Sequence, residues 1–238
     1  MRQLLQRQRD YFDSGATLSY QFRNKQLRKL CSVIKTHEAE IIHALWLDLG
    51  KPETEAYISE IGIIYTEIDQ TCKNLAKWMK PQKVKSPVNQ FYSQSYIQRV
   101  ALGCVLIVAP WNYPFQLLIS PLVGAIAAGN CVMLKPSELS ANVAKILEVI
   151  IKEAFNEEYI AIQNGDGAQV VPQLIEQGSF NHVLFTGSTA VGRIIARQCA
   201  EKLIPYTLEL GGKSPAIIDN SANLEIAAKR VIWGKFFN

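Results

Sequence analysis

From Leu102 to Gly212 the chain alternates short apolar runs with longer amphipathic ones, and this rhythm restricts the fold more than any other feature. GCVLIVAP, NCVMLKPS, YIAIQNGD, NHVLFTGS and YTLELGG have strand length and mostly apolar residues. Between them lie LLISPLVGAIAAG, VAKILEVIIKEAF, VVPQLIEQG and VGRIIARQCAEK, which have helix length and helical spacing. A strand that shows one face to water alternates apolar and polar residues, whereas a strand covered on both faces does not. The pattern therefore predicts an α/β fold: a doubly wound, mostly parallel, Rossmann-like sheet with helices on both faces.

Residues 1–80 read as helices that precede the sheet. Leu27, Leu30, Cys31 and Ile34 recur at the spacing of one buried helical face. His37 to Leu49 forms a second segment, stopped by Gly50 and Pro52. Ile61, Ile64, Ile68, Cys72, Leu75 and Met79 mark a third, which Pro81 ends. Residues 81–100 are rich in Gln, Ser and aromatics, a composition that suits exposed strands. At the other end, Val231, Ile232, Trp233, Phe236 and Phe237 form an apolar run up to Asn238. A docked terminal helix would account for it. An element that is cut off midway is the expected reading.

Composition excludes several classes of partner. A net charge of +4, evenly spread, argues against nucleic acid. No stretch approaches the ~18 uninterrupted apolar residues of a membrane helix, and the first fifteen residues lack the apolar centre of a secretory signal. The five cysteines, Cys31, Cys72, Cys104, Cys131 and Cys199, form no CxxC pair and are expected as buried free thiols in a reducing, cytoplasmic setting. Three scattered histidines suggest no metal site.

Three segments carry chemistry. In NHVLFTGSTAVGRII, residues 181–195, a strand runs into Gly187 and a helix begins near Ser188, with Gly192 completing a G-x-x-x-x-G spacing. A glycine turn that feeds a helix N-terminus presents unpaired N–H groups and the positive end of the helix dipole, which favour a phosphate. Thr189 stands where the dinucleotide fingerprint has its middle glycine, so a bland strand-to-helix turn fits equally well. Lys135 and Glu138, in LKPSE, lie past the end of the second strand of the series, where such sheets bind ligands. They could hold two ribose hydroxyls, or form a surface pair with Ser137 or Glu138 capping the next helix. In APWNYPF, residues 109–115, two prolines fix an irregular loop around Trp111 and Asn112. A rigid Asn amide there could donate to an oxyanion, or simply tie down the loop. Glu209 lies about twenty positions beyond Gly187, at the spacing of a ribose-binding acid.

PWNYP, LKPSE, FTGS and LELGGKSP, in this order and spacing, resemble the aldehyde dehydrogenase family over the whole chain. The segments RKLCSVIKTHEAEIIHALWLDLGKPETEAYISE and KWMKP look most like its class 3 branch. The resemblance implies NAD or NADP as cofactor, an aldehyde as small-molecule substrate and a homodimer in the complete protein. It assigns Asn112 as an oxyanion donor and Glu209 as the general base, in place of the ribose role. It gives Lys135 and Glu138 to the adenosine ribose, Gly187, Ser188 and Gly192 to the pyrophosphate turn, and Trp111 to the cofactor site. It also implies a cofactor-binding domain made of residues 1–80 and 101–209, an oligomerisation segment at 81–100 and the start of a catalytic domain at 210–238. The catalytic cysteine of such enzymes is expected a few residues after VIWGKFFN, so none of the five present is promoted to nucleophile and the isolated chain is expected to be inactive. A non-catalytic nucleotide-binding fragment and an acyl-CoA-linked reductase of the same superfamily are the rival readings.

Overall fold

The computed structural model describes residues 1–238. Three helices open the chain: α1 (Arg2–Asp13), α2 (Tyr20–Thr36) and α3 (Glu38–Leu49). A longer helix follows in two parts, α4 (Glu53–Ala56) and α5 (Gly62–Trp78), joined by a π-helical turn at Tyr57–Ile61. Next come β1 (Gln82–Val84) and β2 (Ser95–Ile97), then the alternating series. That series runs β3 (Cys104–Val108), α6 (Gln116–Ala128), β4 (Cys131–Lys135), α7 (Ala141–Ala154), β5 (Ile160–Ile162) and α8 (Gly167–Gln177). It continues through β6 (His182–Gly187), α9 (Thr189–Glu201) and β7 (Tyr206–Leu210), and α10 (Leu224–Phe236) closes the chain.

The five strands β3 to β7 form one parallel sheet in the order β5-β4-β3-β6-β7. The chain steps outward from β3 to β5, then returns to the opposite side of β3 and steps outward again. Right-handed crossovers then put α6 and α7 on one face and α8 and α9 on the other. Every residue of β3 and β4 is buried, as their unbroken apolar character requires. The helical layer α2, α3 and α5 packs behind α6 and α7, and α1 packs on β3 and β4. Leu27, Ile34, Leu45 and Ile64 share one core with Leu118, Leu122 and Leu147. The first eighty residues therefore belong to the same folding unit as the sheet.

Long-range polar contacts join the two parts. α3 ends at Gly50, whose φ of 65° closes the helix in the left-handed region. Just before that end, Asp48 reaches across to α7, where its carboxylate accepts from the backbone N–H groups of Asn142 at 3.2 Å and Val143 at 2.8 Å. Neither Ser137 nor Glu138 caps α7, and its own N-cap residue, Ser140, makes no side-chain cap. Arg23 closes the other end of α6 by donating to the carbonyl of Ala127 at 3.0 Å.

β1 and β2 form an antiparallel pair whose neighbourhood exposes Val88, Phe91, Tyr92 and Tyr96, as the composition of that segment suggests. α10 is capped by Asn223 and buries no residue. Cys72, Cys104, Cys131 and Cys199 are buried thiols and Cys31 is partly buried. No helix is long and apolar enough to cross a membrane.

At the junction of α2 and α3, His37 faces Glu40 through Nδ1 at 2.5 Å and Glu153 of α7 through Nε2 at 2.8 Å. The Glu153 hydrogen bond, then that of Glu40, raises its pKa above the ordinary histidine value. A raised folded-state pKa means that the added stability is complete below the unfolded pKa of about 6.5 and is lost as pH rises through the folded value. Relative to His37→Gln, the wild type should melt higher at pH 6, with the gap closing by pH 9. A gap independent of pH would show that the imidazolium contributes nothing.

Candidate functional site

The sheet changes direction between β3 and β6, and at such a switch point the loops leaving the two strands diverge and open a crevice. A groove of about 460 Å³ lies there, at the carboxyl ends of the strands. Trp111, Lys135, Glu138, Gly187 and Ser188 all line it. A second cleft of about 770 Å³ adjoins it, lined by Asn112 and Glu209. Pro110, Trp111, Thr186, Gly187 and Ser188 border both, so the two form one trough. Gly192 lies behind the wall. A Cβ there would fall 2.7 Å from Leu210 Cδ2, so its glycine lets α9 seat closely against β7.

Each group is held by its element. Lys135 ends β4 almost wholly buried, and its ammonium donates to the Pro136 carbonyl at 2.6 Å and to Glu138 at 3.0 Å. Burial opposes the charge on Glu138. The Glu138 and Gly167 backbone N–H groups and Lys135 outweigh it, so the carboxyl sits below its usual range. Ser188 caps α9, its hydroxyl accepting from Val191 N–H at 3.3 Å. At the start of α9, Ser188 and Val191 line the groove, and the Thr189 and Ala190 N–H groups beside them have no partner inside the helix. Glu209 is carried by β7, in register with Thr186 of β6, and is exposed to the second cleft.

Part of the site escaped the sequence reading. Val171 and Pro172 of α8 face Val191 and Ile194 of α9 across the groove, making an apolar slot beside Glu138. Gln198 also lines it, and its carboxamide oxygen is buried without a hydrogen-bond partner. These residues fall on ordinary helical spacing, so nothing in their order separates them from core. Asp166 caps α8 by accepting from Ala168 N–H at 2.9 Å, next to Gly167. A Cβ at Gly167 would come within 3.3 Å of both Glu138 carboxylate oxygens.

The loop bearing Asn112 rests on a pair the sequence did not suggest. Lys51 donates to Glu60 at 2.6 Å and to the Asn112 carbonyl at 2.9 Å, with its ammonium 4.1 Å from the Tyr113 ring centroid. The second oxygen of Glu60 accepts from Phe115 N–H at 2.9 Å and Gln116 N–H at 3.1 Å. Burial pushes the Glu60 carboxyl up, against the pull of Lys51 and the two N–H groups. None of the five cysteines borders the trough.

Residues 1–238 match the aldehyde dehydrogenase family. The 4,4'-diaponeurosporen-aldehyde dehydrogenase of Staphylococcus aureus is 46% identical over 96% of this chain and 49% of its own length. The dimeric NADP-preferring aldehyde dehydrogenase of Canis lupus familiaris is 42% identical over 99% of this chain and 52% of its own. A substrate-bound structure of Staphylococcus aureus AldH superimposes with a TM-score of 0.96 at 44% identity, covering 99% of this chain and 51% of that one. The chain thus spans about half the length of these relatives. With the family matched from end to end and the fold shared with a solved member, the chain belongs to the aldehyde dehydrogenase family.

Proposed function

We propose that this chain forms the cofactor-binding part of an enzyme that oxidises an aldehyde to a carboxylic acid with NAD or NADP. The carrying observation is the continuity of the trough, which runs from the Lys135–Glu138 pair past the α9 N-terminus to Asn112 and Glu209. A dinucleotide fits the residues present. The slot between Val171 and Val191 suits a flat base. Lys135 and Glu138 take the ribose, and the α9 N-terminus beyond Gly187 and Ser188 takes the pyrophosphate. When bound, the nicotinamide supplies the hydride acceptor.

Two residues of this chain serve the chemistry around it. Asn112 donates its amide to the oxygen that becomes negative when a thiolate adds to the aldehyde. Glu209 takes the proton from the thiol, releases it to solvent through the open cleft, and later takes one from the water that hydrolyses the thioester. The thiolate is assigned to the portion of the relatives that this chain does not span. The hairpin at 81–100 is the assigned contact of a homodimer, and residues 210–238 begin the substrate-binding part.

The test is binding to the full-length protein by calorimetry. Lys135→Met should weaken NAD by roughly tenfold or more, because a buried charge and the partner that orients Glu138 are both lost. Unchanged affinity would refute the site. NAD should also bind at least about tenfold tighter than NADP, since a 2′-phosphate would meet charged Glu138 and Asp166. The only cation lining the groove, Lys135, is already engaged. Glu138→Gln should narrow that ratio, and a wild-type preference for NADP would contradict the electrostatic argument.

A further inference from the structure

Resting on the oxyanion role proposed for Asn112, we infer that the buried Lys51–Glu60 pair is a positioning device that aims the Asn112 amide into the trough. Lys51 and Glu60 belong to the N-terminal helical layer, and neither lines either cavity. Yet their side-chain hydrogen bonds outside the pair, and the cation–π contact of Lys51, all fall on the loop that bears Asn112. The ammonium takes the carbonyl of Asn112 itself and sits over Tyr113. The carboxylate takes the N–H groups of Phe115 and Gln116, where the loop turns into α6. The loop is thus fixed on both sides of Tyr113 by groups that touch backbone and ring. The Asn112 carboxamide makes no hydrogen bond within the chain and is left free toward the cleft.

Stability alone is a poor reason for such a pair. Desolvating two charges offsets most of their attraction, and apolar residues of similar volume serve a core as well or better. The local backbone points the same way. Glu60 lies in the single π-helical turn, and an extra residue in a helix turn is a local departure that recurs at functional sites. That turn lets Glu60 project, fully buried, toward the loop while Ile61 and Ile64 stay in the core.

The experiment compares variants of the full-length protein by steady-state kinetics and thermal melting. Lys51→Met/Glu60→Leu removes both charges together, so the melting temperature should recover most of what Lys51→Met alone loses, falling short of wild type because the Phe115 and Gln116 N–H groups lose their acceptor. The loop nevertheless loses its anchors, and an oxyanion donor displaced by about an ångström costs on the order of 10² in rate. The expected result is a folded variant more stable than Lys51→Met alone, with kcat reduced about 100-fold and the KM for NAD unchanged. Wild-type kcat in a stable double variant would overturn the positioning role. Should the double variant not fold, Glu60→Asp keeps the charge but withdraws its oxygens from the loop by one methylene. A lower kcat with little change in melting supports the inference, and an unchanged kcat overturns it. Asn112→Ala separates the two levels of argument. If it leaves kcat intact, the oxyanion reading itself falls and the positioning role with it. If it lowers kcat about 10²- to 10³-fold while the pair variants do not, only the positioning role falls.

Discussion

Glu209→Gln in the full-length protein should lower kcat by roughly 10²- to 10⁴-fold, the range lost with a general base. The substitution keeps the size and one acceptor but removes the ability to take a proton. Glu209 opens onto the cleft that Asn112 lines, whereas Lys135 and Glu138 line the adjoining groove. Its loss should therefore spare cofactor affinity. Pre-steady-state kinetics divides the effect further. A variant that still releases a burst of reduced cofactor but turns over slowly has lost water activation, and one without a burst has lost thiol activation as well. An increased Kd for NAD with a normal kcat would return Glu209 to the ribose role that its distance from Gly187 suggests.

Lys51→Met alone should destabilise the protein by about 3–5 kcal/mol, the cost of leaving a buried carboxylate without its partner. Glu60 is fully buried, so water cannot replace the ammonium. Its two backbone donors and an upward shift of the carboxyl recover only part of the loss. Urea unfolding at constant m-value measures the change. A shift below about 1 kcal/mol would mean that the pair is hydrated in solution, because exposed pairs contribute no more than that.

The parts of this molecule legible in sequence are those whose physics is local or periodic. Both-face burial of Val105–Val108 and Val132–Leu134 leaves an unbroken apolar run, and Ser188 follows a strand at the start of a helix in nine consecutive letters. The strand order is legible only as a class, because nothing in the residues of β6 states that it returns beside β3. Nothing in the sequence marks Lys51 and Glu60 as a buried pair, since a π turn that rotates Glu60 inward leaves no periodic trace. The apolar slot fails for the opposite reason. Val191 and Ile194 obey helical spacing, and only the tertiary arrangement shows that they face a cavity.

The carboxylate of Asp48 has a consequence for how the chain acquires its shape. The helix it caps lacks a cap of its own, so that helix gains its first-turn partner only from a segment synthesised about ninety residues earlier. Translation delivers the N-terminal segment first. The opening helices can thus stand ready as a mould when residues 141–154 emerge, and the order of synthesis matches the order in which the contacts are needed.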